Sequence, residues 1–295
     1  MIGSLNETKF GQTWLCYKES EVKYGFYTPN FGYCGDPKNL LELAVECEGA
    51  GWDGFFVWDH LQWPDMEPAA DPWVALSAIA SHTSTISLGP MITPLPRREI
   101  VKLAREALTL DHLSDGRLIL GIGLGYQALP EWSAFGHEQD ARVRGEMADE
   151  GLDLLNAFWS GNPIDHNGVH YAAVCEAWAK PKKEPRIPIW IAGQWPGKKP
   201  FRRAARWDGV IPMARDQMEG GKITADDLSE LLSVIDAEKV RSPDFDVVMI
   251  GMNPSSADME AYGKGGATWW LEASGPWSKT FEEMKEQIQR GPPPN

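Results

Sequence analysis

Apolar residues fall into short unbroken runs, separated by longer stretches in which they recur every three or four positions. The first run, 22–28 (VKYGFYT), is β-branched and aromatic and is closed by Pro29, Asn30 and Gly32, which predicts a short strand and a loop. From Leu40 the segment LLELAVECEGAGW has helical spacing until Gly49 and Gly51 stop it. Further strand-like runs stand at 54–58, 86–92, 118–122, 187–192, 209–212, 245–250 and 267–271. Helical patterns separate or follow them at 72–81, 100–113, 142–159, 199–206, 224–239, 257–262 and 279–289, so that eight strand and helix pairs are expected.

Strands that are apolar without alternation are those buried on both faces, and regular strand-helix repetition sets them parallel. Eight such units close into a barrel, so the expected fold is α/β, a parallel (β/α)8 TIM barrel. A single barrel domain is expected over 22–295, with an insertion after the fourth unit at 162–183, in hairpin or irregular form. Residues 1–21 form an N-terminal extension outside it, expected to be flexible. The rival architecture is an open doubly wound sheet, for which Gly121, Gly123 and Gly125 imitate a dinucleotide fingerprint. The third glycine comes one residue early and the turn is the fourth instead of the first, which argues against it.

Composition narrows the function classes. A formal net charge of -14 over 295 residues repels nucleic acid and anionic membrane surfaces. Cys16, Cys34, Cys47 and Cys175 show neither metal-binding spacing nor a disulfide framework, and no run approaches the roughly 18 apolar residues of a membrane span. A cytoplasmic protein with no membrane, nucleic-acid or metal partner is expected. Fourteen tryptophans are available to line a pocket for a planar ligand or to fill the core.

A parallel barrel works at the carboxyl ends of its strands. There the sequence places Asn30, Asp59-His60, Met91 to Pro94, Gly123, Gly125 and Tyr126, Gly193-Gln194-Trp195, Met213, Arg215 and Glu272. The set lacks clustered metal ligands and a strand-end lysine for Schiff-base chemistry. His60 is the sharpest candidate, since imidazole just beyond a buried strand can bond a ring carbonyl or an oxyanion. Its structural alternative is a capping Asp59 beside a packing histidine. The glycines at 121, 123 and 125 suit close approach to a flat ring or simple loop geometry. Lys198, Lys199, Arg202, Arg203 and Arg206 read either as a phosphate site or as a solvated helix face.

At these residues the chain resembles the luciferase-like monooxygenase family. The likeness rests on YGFYTPNFG, GWDGFFVWDHL, DPWVALSAIASHTSTISLGPMITPLPRR, LTLDHLSDGRLILGIGLGY, PRIPIWIAG, RRAARWDGVIP and GATWWLE, in the family's order. It implies a flavin-dependent oxidoreductase using reduced FMN, or alternatively a deazaflavin, to oxidise or hydroxylate a small organic substrate. Asp59 and His60 correspond to the family's acid-histidine pair. Met91 and Ile92 fall where members carry a bulge with a non-prolyl cis peptide. Asn30, Gly123, Gly125, Gly193, Gln194, Arg202 and Arg203 are the implied cofactor contacts, and Trp63, Tyr126, Trp195 and Glu272 the implied pocket. Tyr126 replaces the acid of deazaflavin-dependent sugar-phosphate dehydrogenases, and Trp195 is bulky for a phosphate loop. A homodimer and a separate flavin reductase are implied partners. The other readings are a binding protein without turnover and a phosphate-binding isomerase or lyase with Glu272 as its acid.

Overall fold

The computed structural model describes residues 22–65, 67–126 and 131–293; the expected N-terminal extension lies outside them. In chain order the elements are β1 (Lys23–Thr28), α1 (Pro37–Gly49), β2 (Gly54–Val57), α2 (Pro72–His82), β3 (Ser87–Pro90), β4 (Thr93–Pro94) and α3 (Ile100–Leu113). Then follow β5 (Leu120–Gly123), α4 (Glu131–Ala134), α5 (Ala141–Phe158), β6 (Ile164–Asn167), β7 (Ala172–Cys175), β8 (Ile189–Trp195) and α6 (Lys199–Ala204). The last elements are β9 (Gly209–Ala214), α7 (Ala225–Glu238), β10 (Asp246–Gly251), α8 (Ser256–Lys264), β11 (Trp269–Ala273) and α9 (Phe281–Gln289). Capping is explicit at many starts: Asp36 and Asp71 accept from the first turns of α1 and α2, each followed by proline, and reciprocal capping boxes open α7, α8 and α9.

One sheet runs β3-β2-β1-β11-β10-β9-β8-β5-β4, with parallel pairing throughout. The end strands β3 and β4 are successive pieces of one crossing, broken at Met91-Ile92. Leu88 bridges Leu118 and Thr93 pairs with Ile122, so both pieces meet the β5 side and close the expected TIM barrel. The excursion at 162–183 contains an antiparallel hairpin, β6 with β7. Glu150 of α5 holds it, accepting from the backbone N–H groups of Val169, His170 and Tyr171 and bonding His166. Among the described residues no helix is long and apolar enough to cross a membrane.

Alternation along each strand separates two cores. Phe26, Phe55, Leu88, Leu120 and Ile191 face the helices in the larger cluster. Tyr27, Phe56, Met91, Ile119, Trp190, Ile211, Val248, Trp269 and Leu271 fill the barrel. Its middle is a triangle of rings: Phe56, Trp190 and Trp269 have centroids 5.4 to 5.9 Å apart. Small residues make room for them; a Cβ at Gly209 would meet Trp190 Cδ1 at 2.5 Å.

Glu48, near the end of α1, fixes the turn that leads into β3. Its Oε1 accepts from Ser84 N (2.8 Å), Thr85 N (2.6 Å), Thr85 Oγ1 (2.9 Å) and Ile86 N (3.0 Å). Burial alone would raise its carboxyl, but these bonds outweigh burial and hold it at about 2. An unfolded Glu titrates near ~4.3, so this clamp stabilises the fold fully above that pH and loses its effect as pH falls towards 2. Glu48→Gln is expected to lower stability at pH 7 and to flatten the acid limb of the stability profile between those values. Circular-dichroism urea titrations at a series of pH values check this; an unchanged limb would refute it.

Candidate active site

The buried polar centre of the molecule lies just beyond β2. Asp59 is 1% exposed, and its Oδ2 accepts from Thr93 Oγ1 at 2.9 Å. Its Oδ1 receives Arg97 Nη2 at 2.8 Å, and Arg98 Nη2 reaches the same oxygen. Arg97 Nη2 also donates to Asp59 O (2.7 Å), while Nη1 donates to Glu131 Oε2 (2.7 Å). One guanidinium therefore joins two buried carboxylates, a task its planar fork suits and a lysine does not. The short β4 and the turn after it put Thr93, Arg97 and Arg98 in reach, and α4 brings Glu131.

Glu131 in turn holds the loop that carries His60. Its Oε1 accepts from Leu61 N and, at 3.0 Å, from Gln62 N; Oε2 lies 3.2 Å from His60 Nδ1. Burial would raise the Glu131 carboxyl, but the His60 bond and charge, Gln62 N and Arg97 together hold it below the usual range. An ionised carboxylate can only accept, so Nδ1 carries the hydrogen, and in the neutral form of the ring Nε2 keeps a lone pair. Asn30, fully buried, adds a second clamp: Nδ2 donates to His60 O and Ala70 O, both at 2.7 Å.

Next to this centre is the break in the third stave. Met91-Ile92 is a non-prolyl cis peptide, and Met91 N donates to Val57 O at 2.8 Å. The neighbouring strand yields to it. A Cβ at Gly121 would meet Met91 Sδ at 2.4 Å, and one at Gly123 would meet Ile92 Cγ2 at 2.9 Å. Gly125 has φ +82 and lies against Trp132, so both its backbone and its space exclude a side chain.

Aromatic rings line the barrel mouth beside His60. Trp58 stacks on Trp277 (5.2 Å, 28°), and Trp63 stacks on Phe31 (5.0 Å, 20°). Trp58 and Trp63 both present T-shaped contacts to the imidazole, at 5.8 and 5.2 Å. Tyr27 approaches Trp58 from the barrel side at 5.6 Å.

The structure brings Asp59, His60, Trp63, Met91, Ile92, Gly123 and Gly125 to one side of the mouth and leaves Tyr126 partly exposed just past it. Several other expected contacts are turned elsewhere. Asn30 spends both amide hydrogens on backbone carbonyls, so it positions the His60 loop and has no donor left for a cofactor. Glu272 sits on the helix-facing side of β11, bonded by Asn253 N, Trp270 Nε1 and Gln287 Nε2, with burial raising its carboxyl; it is a structural acid behind the sheet, not a pocket residue. Trp195 also points outward, donating from Nε1 to Asp227 Oδ1 at 2.9 Å. Gly193 packs under Pro200, where a Cβ would come within 2.3 Å, which accounts for the glycine without a ligand. Gln194 remains exposed at the mouth. Arg202 and Arg203 occupy the last turn of α6 and pair with Glu238 and Asp149, which removes them from the expected phosphate site.

Arg97 and Glu131 are the functional residues that sequence reasoning missed. The Pro-Leu-Pro-Arg-Arg run directly after the third stave signals Arg97, whereas Glu131 follows a loop and enters no periodic pattern. Removing Arg97 leaves two carboxylates short of a partner. Arg97→Ala is expected to destabilise by about 3 to 5 kcal/mol, and combining it with Glu131→Gln to cost less than the sum. Urea unfolding of the double-mutant cycle checks this; strict additivity would rule out the coupling.

Comparison with known proteins agrees with the geometry. The luciferase-like monooxygenase family model matches residues 19–288. An F420-dependent glucose-6-phosphate dehydrogenase of Microbacterium testaceum is 30% identical over 186 residues, 61% of this chain and 51% of the relative. That of Amycolatopsis mediterranei is 30% identical over 204 residues, 68% and 59%. The chain thus spans between half and three-fifths of the length of these curated relatives. Among solved structures, an F420-dependent secondary alcohol dehydrogenase in complex with an F420-acetone adduct matches with a TM-score of 0.73 at 16% identity, over 91% of this chain and 97% of that one. A monooxygenase from Streptomyces bottropensis matches with 0.71 at 19%, over 91% and 97%; at such identities the likeness speaks for the fold alone. A match that runs through every barrel stave, around a histidine held by a buried acid, leads to one conclusion: the chain belongs to the luciferase-like monooxygenase family, whose members are flavin- or F420-dependent oxidoreductases.

Proposed function

We propose that the chain is a deazaflavin-dependent oxidoreductase that moves a hydride to or from a small organic substrate, with His60 handling the accompanying proton. The observation that carries this reading is the His60 Nδ1 contact with Glu131, 3.2 Å long, inside a network whose charges are matched. On sequence alone reduced FMN stands first; the 30% identity to F420-dependent relatives favours the deazaflavin instead.

The residues present fit a planar ring. Ile92, Ala192, Ile250 and Ala273 form a half-buried apolar surface over the barrel core, while Gly121 and Gly123 give up their own side-chain space to Met91 and Ile92. Met91, Ile92, Gly123 and Gly125 would hold the ring. With Arg202 and Arg203 paired, exposed Gln194, Lys198, Lys199 and Arg215 are the groups left to meet a phosphate. When bound, a deazaflavin supplies two-electron hydride chemistry.

The protein's own part is the proton and the setting. His60 Nε2 accepts the proton a substrate hydroxyl loses on oxidation and returns it on reduction. Glu131 stabilises the resulting imidazolium, and Arg97 keeps Glu131 ionised. Tyr126 stands in place of the strand-four acid, so that this proton work falls to His60. The rings of Trp58, Trp63 and Trp277 exclude water from the reacting face.

Fluorescence titration with oxidised F420 and with FMN is expected to give preferential F420 binding. His60→Ala is then expected to lower turnover about 100- to 10,000-fold while changing F420 affinity only a few-fold. Preferential FMN binding would shift the reading to oxygen-dependent chemistry, and equal rates in the two proteins would remove the role of His60.

A further inference from the structure

We infer that the mouth beside His60 takes an uncharged substrate with an apolar ring or branched body and one carbonyl or hydroxyl oxygen, and not a sugar phosphate. This rests on the proposed function and names its substrate class.

The accessible walls in this quadrant are carbon. Trp58, Trp63 and Trp277 are partly exposed, Trp277 to 39%, and are braced from behind by buried Tyr27 and Phe31. Each ring is held by at least one other, so the box is preformed and little side-chain freedom is lost when a ligand enters. Its polar features are few. Trp58 Nε1 is buried and without a partner among the described residues, and His60 offers Nε2. An alcohol hydroxyl can accept from Trp58 Nε1 and donate to His60 Nε2, whereas a ketone oxygen can only accept from Trp58 Nε1.

Among the described residues, the cations near the same quadrant are already engaged. A phosphate dianion is bound by cations with free N–H groups. The Arg97 side chain is 1% exposed and spent on Asp59 and Glu131, and Arg98 is tied to Asp59. Two acids against two arginines leave no net charge to attract an anion. Lys279, two residues past Trp277 in the chain, is half-buried, and the charges of Glu272 and Glu283 lie near enough to feel its own. Exposed Arg215 follows β9, four places from β2 in the sheet order, on the side assigned above to the cofactor. A polyol would also find too few partners: a hexose brings several hydroxyls to a wall of rings, and each one desolvated without a bond weakens binding.

The test is calorimetric titration of the full chain, free and saturated with oxidised F420, with acetophenone, cyclohexanone and glucose 6-phosphate. Ketones cannot be reduced by the oxidised cofactor, so the heat reports binding alone. The ring ketones are expected to bind at least about tenfold more tightly than glucose 6-phosphate. Trp277→Ala, at an exposed position, is expected to weaken acetophenone on the order of fivefold. Trp58→Phe, which keeps a ring and removes the donor, is expected to weaken acetophenone about 2- to 10-fold and leave its hydrocarbon analogue ethylbenzene unchanged. Glucose 6-phosphate binding as tightly as the ketones, or ketone binding indifferent to both variants, would overturn the inference. F420 binding without ketone binding would overturn the substrate class alone; loss of both would take the proposed function with it.

Discussion

Two carboxylates buried side by side cannot both stay ionised without compensation, and the arrangement around Arg97 is the answer this chain has settled on. Asp59 and Glu131 lie almost wholly out of water, and Arg97 joins them with three polar contacts, two to Asp59 and one to Glu131. Several other features follow from it. The third stave must break after Pro90 so that Thr93, Arg97 and Arg98 can turn back over β2. The adjoining stave must then carry glycines at 121 and 123, because Met91 and Ile92 press into that space. Glu131 must come from the far side of the loop after β5, and in arriving it ties down the backbone of Leu61 and Gln62 and faces His60.

This separates binding from positioning in a way that residue types alone do not. Asp59 touches no accessible surface; it acts through Arg97. Asn30 acts through the backbone on both sides of the His60 loop. His60, with a side chain 17% exposed, is the member of the network that meets the mouth, flanked by rings that carry no charge.

The staves and their order were legible because unalternated apolar runs and glycine or proline boundaries are local signals. The hairpin at 162–183 and the break at Met91-Ile92 were legible as well, the latter through resemblance; the expected pairing of Asp59 with His60 was not, since the acid that reaches the imidazole is Glu131 and Asp59 bonds Thr93, Arg97 and Arg98. What sequence left open was direction. Glu272 and Trp195 stand at strand ends but on the helix-facing phase of the pleat, one residue away from the phase that sees the barrel. Arg202 and Arg203 look like a phosphate site until their partners on α5 and α7 are seen. Arg97 and Glu131 are 34 residues apart and meet only through the closure of the barrel, a contact that no spacing rule reaches.

The orientation of His60 is the point on which fold and function join, and its nitrogen chemistry can be observed directly. Nitrogen-15 NMR of the imidazole at neutral pH, with His60→Gln used to assign the signal, distinguishes which ring nitrogen bears the hydrogen. For the neutral ring, hydrogen on Nδ1 and a bare Nε2 is the expected result, and Glu131→Gln should disturb it. A neutral ring protonated at Nε2, unchanged when Glu131 is altered, would contradict the role given to the buried network.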